Sequence, residues 1–332
     1  MRADALYYPW IDPPNRLMLV TSVLYWDHLF TIVPKSVGRP FHNEWSHAAE
    51  QHGFLRPRFV DRDCPEVTAA SEQFVADFGR KAIRDDVKNA RKRGWRNGGV
   101  LHPDKVSTVL HKLLWQKARQ DDEGFYPVTQ EHGLPYMARL ASVVYEQDKL
   151  VPYTDRRLSR DVIIDRYTDQ TREDVVGKTE AALVKLSIGA IRLGPSTSFA
   201  DLIRFRDDHH DGLVRYRKSI RALARSASGI ADASFPEREL IRIAKEELKP
   251  AEEVVGARLK EAGWDFAIGT LQATVAGGGT YAVSRNLLAA LVGAGISIVF
   301  SAVRWRMAKS KVPKDALSYL ASVRKELHHE DD

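Results

Sequence analysis

The sequence has a single cysteine, Cys64, among 332 residues. One thiol excludes a disulfide framework and any zinc site built on several thiolates, and it fits a reducing cytosol. The first residues also lack the unbroken apolar run of a signal peptide, because Pro9, Pro13 and Pro14 interrupt them. Glycine and proline, at 21 and 15 residues, are too few for a disordered or fibrous chain. We therefore expect a cytoplasmic protein with about two globular domains.

The first third of the chain predicts a small α/β unit. Residues 5–8 and 29–33 are apolar and β-prone, and Asn15 can cap an intervening helix that carries Leu17, Val20 and Leu24. A strand, helix and strand in this order predict a parallel pair. Helices are expected at 65–78, 103–114 and 134–145, a loop at 91–99 and a third short strand at 150–152. Residues 156–193 fit either a strand or a helix.

A long helix is predicted from Ser198, which forms a capping pattern with Asp201. Its apolar seam repeats at steps of three and four and consists of Leu202, Phe205, His209, Leu213, Tyr216, Ile220 and Leu223. This spacing resembles a coiled coil and needs a partner helix, for which a helix beginning at Pro236 is the natural choice.

Residues 266–303 contain one basic residue, Arg285, and no acidic one. They divide into two apolar, glycine-rich runs, 266–283 and 287–303, which are short for a hydrocarbon layer of about 30 Å. The basic flank that follows is typical of a cytoplasmic membrane surface and includes Arg304, Arg306, Lys309 and Lys311. The two apolar runs predict membrane insertion or attachment. The alternative is a helical hairpin buried in a core or in an oligomer interface.

Together these patterns predict an α+β protein. A small N-terminal α/β unit is joined to a larger, mainly helical body and a C-terminal glycine-rich hydrophobic helical hairpin. The predicted domains are an α/β and helical domain at 1–193, a long helical hairpin at 194–265, and the hydrophobic hairpin with its basic tail at 266–332.

Basic residues concentrate between positions 79 and 98, where eight cations stand against Asp85 and Asp86. The candidate anion- or nucleic-acid-binding residues, with one aromatic side chain that could stack on a base, are Arg80, Lys81, Arg84, Lys88, Arg91, Lys92, Arg93, Trp95 and Arg96. The local balance of +6 equals the net charge of the whole chain, so the basic character is concentrated. The alternative is a solvated helix face followed by an exposed loop.

Three motifs resemble those of an uncharacterised bacterial family: the sequence Ala-Leu-Tyr-Tyr-Pro at 5–9, Trp26-Asp27, and the helix 203–209 with the pattern Ile-x-Phe-Arg-x-x-His, followed by Tyr216-Arg217. The resemblance implies a bacterial origin and no particular reaction. A link to phage defence is a hypothesis by association with such families.

Arg204 and His209 are similar to the arginine–histidine motif of the all-helical HEPN ribonucleases. The resemblance implies an arginine that stabilises phosphorane charge and a histidine that moves a proton, paired across a dimer. However, five positions on a regular helix separate two side chains by about 140°, so a surface arginine beside a core histidine is the alternative.

No metal site and no cofactor are predicted. The sequence Asp207-Asp208-His209-His210-Asp211 resembles a metal-dependent phosphoesterase signature but interrupts an amphipathic helix. The leading hypothesis is a non-catalytic interaction or effector protein that engages the inner membrane and has a protein partner or forms a homo-oligomer. The alternatives are a HEPN-like ribonuclease or nucleic-acid-binding protein, and a soluble oligomeric scaffold. The sequence does not specify a substrate.

Overall fold

A computed structural model describes residues 3–13, 16–92, 98–115, 125–154 and 197–227, with short stretches between 176 and 188 and between 319 and 327. It combines helices with a small parallel sheet and is mostly helical, which agrees with the predicted α+β class. The predicted hairpin at 266–303 and the predicted domain boundaries at 193/194 and 265/266 lie outside the described residues.

The chain forms two compact units. Unit 1 consists of Met1–Leu19 and Trp26–Thr171, and unit 2 consists of Val20–Tyr25 and Arg172–Asp332. The elements that begin in unit 1 are β1 (Asp4–Tyr7), α1 (Arg16–Val23), β2 (His28–Pro34), α2 (Glu44–Gln51), β3 (Leu55–Val60), α3 (Pro65–Phe78), α4 (Arg80–Lys92), β4 (Gly98–Leu101), α5 (Thr108–Trp115), β5 (Tyr126–Thr129), α6 (Gln130–Asp148) and β6 (Val151–Tyr153). Those of unit 2 are α7 (Phe199–Asp208) and α8 (His210–Ala227).

The main sheet of unit 1 has the order β3-β2-β1-β6, and all neighbouring strands are parallel. This confirms the predicted parallel pair of β1 and β2 and the predicted short strand near 150–152. Strand β3 is an additional finding, since its sequence Leu-Arg-Pro-Arg-Phe-Val lacks a clean alternation. It lies at the edge of the sheet, where the missing N–H of Pro57 is tolerated.

The predicted loop at 91–99 is wrong at both of its ends. Helix α4 continues through Arg91 and Lys92, because arginine and lysine are good helix formers. Gly98 and Gly99 belong to β4, which pairs antiparallel with β5. Hydrogen bonds to a partner strand distant in sequence thus override the loop preference of glycine.

The core of unit 1 forms where helices cover the main sheet. Leu6, Ile32 and Val60 from the strands belong to one buried cluster with residues of α3, α5 and α6. Leu101 and Tyr126 of the small β4–β5 sheet join the same cluster. This continuous apolar core fixes α4 at its margin through Ile83 and Val87, which are both buried.

In unit 2 the single long helix predicted from Ser198 is instead two helices, α7 and α8, which meet at His209. The predicted cap is confirmed, because Ser198 and Asp201 form a reciprocal capping box. The seam is also buried, at Leu202, Phe205, Leu213, Tyr216 and Ile220. One aromatic ring contacts the seam twice: the Tyr319 ring lies 5.9 Å from that of Phe205 and 5.4 Å from that of Tyr216.

Candidate functional site

The cations of α4 lie on one face of the helix. At 100° per residue, Arg80, Lys81, Arg84 and Lys88 fall within an arc of about 100°. Three of them are exposed and Arg84 is half-buried. The buried residues Ile83, Asp86 and Val87 occupy a separate arc of about 100°, which begins next to Arg80 and ends at Asp86 on the far side of the helix. We call the four cations the α4 basic face.

None of these four side chains forms a hydrogen bond or an ion pair with any residue that the structure describes. For Arg84 this includes its buried Nε atom. Other cations of unit 1 have carboxylate partners: Lys35 contacts Asp61 at 3.4 Å, and Arg58 contacts Glu66 at 2.6 Å. The α4 basic face is thus a concentration of positive charge without a described counter-ion.

Asp86 attaches the helix behind this face to the start of α6. Its buried carboxylate accepts the backbone N–H of Thr129 at 3.0 Å and the Thr129 hydroxyl, and it lies 3.0 Å from Nδ1 of His132. Burial alone would raise the pKa of the Asp86 carboxyl, but the close contact with His132 and the two hydrogen bonds from Thr129 outweigh burial and lower it. An ionised anchor on the core side therefore fixes the rotation of α4.

Sequence reasoning missed this role and counted Asp86 only as a charge that reduces the basic balance. A signal was present, since Asp86 stands between Ile83 and Val87 on the apolar side of the helix. A carboxylate at such a position needs buried donors. Its partners Thr129 and His132 are more than forty residues away, so spacing alone could not name them.

The other predicted basic residues are only partly covered. Arg91 and Lys92 lie in α4, three and four positions after Lys88. Arg93, Trp95 and Arg96 lie outside the described residues. The predicted stacking role of Trp95 therefore remains a prediction.

Arg204 and His209 have different partners. Arg204 is exposed and lies 3.7 Å from Asp201, one turn earlier on α7. The His209 ring stacks on Phe205 at 4.2 Å, its Nδ1 contacts the Phe205 carbonyl oxygen at 3.0 Å, and its Nε2 lies 3.1 Å from Glu326. Within the described residues of one chain the two side chains make no contact, and a pairing across a dimer stays a prediction.

The predicted membrane segment at 266–303 lies outside the described residues, as do Arg304, Arg306, Lys309 and Lys311. Among the helices that the structure describes, none has the length and apolarity needed to cross a bilayer. Nor does the described part of the chain gather three or more histidine, cysteine or acidic side chains that could hold a metal ion.

Comparison with protein-family models, with curated proteins and with solved structures finds no match.

Proposed function

We propose that unit 1 binds nucleic acid through the α4 basic face, by contacts to the phosphate backbone. The observation that carries this proposal is the set of four cations on one helical face that have no counter-ion among the described residues. Polyanions gain affinity from such a surface because neutralised phosphates release condensed counter-ions.

The dimensions of the face suit a phosphate backbone. From Arg80 to Lys88 the helix rises by eight steps of 1.5 Å, or about 12 Å. Duplex DNA carries one charge for about every 1.7 Å of its axis, so roughly seven phosphate charges lie within this length of duplex, and part of them face the helix. Several cations can therefore make contacts at once.

The same face lacks the apolar side chains of a membrane-surface helix. The exposed residues beside the cations are Ala82, Asp85 and Asn89, while Ile83 and Val87 are buried in the core. Helices that lie on lipid insert bulky apolar residues next to their charged face. This arrangement supports a nucleic-acid ligand rather than an anionic membrane.

The test is fluorescence anisotropy of a labelled 20-base-pair DNA duplex with the full-length protein. The variant Arg80→Gln/Lys81→Gln/Lys88→Gln removes three exposed cations of the face. The control Arg39→Gln/Arg56→Gln/Lys149→Gln removes three exposed cations from other parts of unit 1 with the same change in net charge. Urea unfolding of both variants verifies that they remain folded.

Loss of three phosphate contacts corresponds to roughly 10²- to 10³-fold in affinity at 0.1 M salt, because each contact contributes about 0.9 to the salt exponent. We expect this loss in the face variant and less than a tenfold loss in the control. Equal losses in the two variants would contradict the proposal. Binding to phosphatidylserine vesicles without binding to the duplex would contradict it as well.

A further inference from the structure

Arg84 occupies the centre of the α4 basic face. Around the helix it lies about 40° from Arg80 on one side and about 40° from Lys88 on the other. Along the helix axis it lies between Lys81 and Lys88. The other three cations of the face are exposed, whereas Arg84 is half-buried. Its side chain is therefore more restricted by the surrounding protein than theirs.

The three nitrogens of the Arg84 guanidinium have different surroundings. Nε is buried and has no hydrogen-bond partner. The two terminal nitrogens, Nη1 and Nη2, also lack a partner among the described residues, but neither of them is buried. The guanidinium is thus covered on its Nε side, while the outer edge that holds both terminal nitrogens is accessible to solvent.

An arginine that stabilises a fold has acceptors for these nitrogens. In Arg58, Nε donates to Asp148 at 2.6 Å, Nη1 to the Phe59 carbonyl at 3.0 Å and Nη2 to Glu66 at 2.6 Å. Arg84 forms no such bond with the described residues, and a buried donor without an acceptor destabilises the folded state. Internal stabilisation therefore does not explain the position of Arg84, whereas binding of an external anion does.

We propose that Arg84 is the central phosphate-binding residue of the α4 basic face. Its Nη1–H and Nη2–H groups donate end-on to two non-bridging oxygens of one backbone phosphate. This inference rests on the proposed function and names the group that recognises the phosphate. A planar guanidinium matches the geometry of two phosphate oxygens, and a bidentate contact adds geometric specificity to charge. The exposed Arg80, Lys81 and Lys88 then contribute mainly electrostatic attraction.

Substitutions that keep the charge separate this contact from electrostatic attraction. Arg84→Lys retains the positive charge and removes the planar pair of donors. Arg80→Lys makes the same change at an exposed position of the same face. Arg62→Lys makes it at another half-buried arginine whose buried Nε has no partner, outside the face and between Asp61 and Asp63. Urea unfolding compares the stability of all three variants with that of wild type.

Fluorescence anisotropy with the labelled duplex measures the affinity of the full-length protein. We expect Arg84→Lys to weaken binding about tenfold, which corresponds to the loss of one hydrogen bond to a charged group. Arg80→Lys and Arg62→Lys should bind within about twofold of wild type, because neither removes a bidentate contact.

The salt dependence distinguishes lost geometry from lost charge. The slope of log affinity against log salt concentration should be unchanged in Arg84→Lys, since the charge is retained. Arg84→Gln should make the slope shallower by about 0.9, because one phosphate contact loses its cation. A structural role alone would change the slope in neither variant.

Three results would overturn the inference. Arg84→Lys could bind as tightly as Arg80→Lys, it could lose no more affinity than Arg62→Lys, or Arg84→Gln could keep the wild-type slope. The proposed function would survive each of them if Arg80→Gln/Lys81→Gln/Lys88→Gln still loses affinity. Failure of the proposed function has a different signature, since that triple variant would then bind as tightly as its control, and this result would overturn both.

Discussion

Replacement of Asp86 by alanine should destabilise unit 1 more than any change on the exposed side of α4. The substitution removes the acceptor of the Thr129 N–H and of the Thr129 hydroxyl, and it removes the carboxylate that lies 3.0 Å from Nδ1 of His132. Hydrogen bonds to a charged group contribute about 1.5–3 kcal/mol each, and removal of one partner of a buried ion pair costs about 3–5 kcal/mol. Because the three contacts share one carboxylate, we expect a total of about 3–5 kcal/mol.

Urea unfolding followed by circular dichroism measures this cost. With a slope of about 2–3 kcal/mol per molar urea, the midpoint should fall by about 1–2.5 M. Asp85→Ala is the matched control, since its side chain is exposed on the neighbouring position of the same helix and should change the free energy of unfolding by less than about 0.5 kcal/mol. Similar midpoints for the two variants would refute the anchoring role of Asp86.

The pH dependence follows from the lowered pKa of Asp86. A carboxyl whose pKa is lower in the folded state contributes stability above its unfolded pKa of about 3.9 and loses it as the pH falls through the folded pKa. The difference between wild type and Asp86→Ala should therefore be constant near neutral pH and shrink below about pH 4. A difference that persists unchanged at pH 2 would show that the effect is due to packing rather than charge.

Three other substitutions have defined outcomes. Lys105 is buried, and burial lowers its pKa to about 7. Lys105→Met should stabilise the protein at pH 7. It should also abolish a rise in the free energy of unfolding between about pH 7 and 10, because the unfolded lysine binds more protons than the folded one in that window. A rise of the same slope in the variant would contradict this. In unit 2, the carboxylate of the buried Glu180 accepts hydrogen bonds from the Tyr25 hydroxyl at 2.8 Å and from Nε–H of Arg221 at 3.2 Å. In urea unfolding, Glu180→Leu should therefore lower the free energy of unfolding by about 3–5 kcal/mol, and Glu180→Gln should lower it distinctly less. Equal losses would indicate that the charge is unimportant. Gly212→Ala places a methyl group 3.4 Å from the Tyr319 ring, which is an ordinary contact. The substitution should raise the thermal midpoint slightly, since alanine favours helix over glycine by up to about 1 kcal/mol. A lowered midpoint would mean that the ring cannot adjust.

The N-terminal strand, helix and strand could be predicted because their signals are local. Apolar runs ended by Pro9 and Pro34 correspond closely to β1 and β2. Strand β3 could not be predicted in the same way, since Arg56, Pro57 and Arg58 hide its pairing with β2. The break between α7 and α8 was likewise invisible in the seam, which keeps its spacing through His209.

In the candidate site, too, the features that depend on local spacing could be predicted and those that depend on long-range contacts could not. The clustering of cations on α4 is a property of sequence spacing and was predicted by counting charges. Their lack of counter-ions, the anchor at Asp86 and the burial of Nε of Arg84 depend on contacts between residues far apart in sequence. Nothing in the local pattern around Arg84 distinguishes it from the exposed cations of the same helix.

The slope of log affinity against log salt concentration tests the nucleic-acid proposal most directly. It should be measured for the labelled duplex with wild type and with Arg80→Gln/Lys81→Gln/Lys88→Gln, between about 50 and 200 mM salt. Loss of three phosphate contacts predicts a slope that is shallower by about 2.7 in the variant. Parallel lines for the two proteins would show that the α4 basic face does not contact the phosphates.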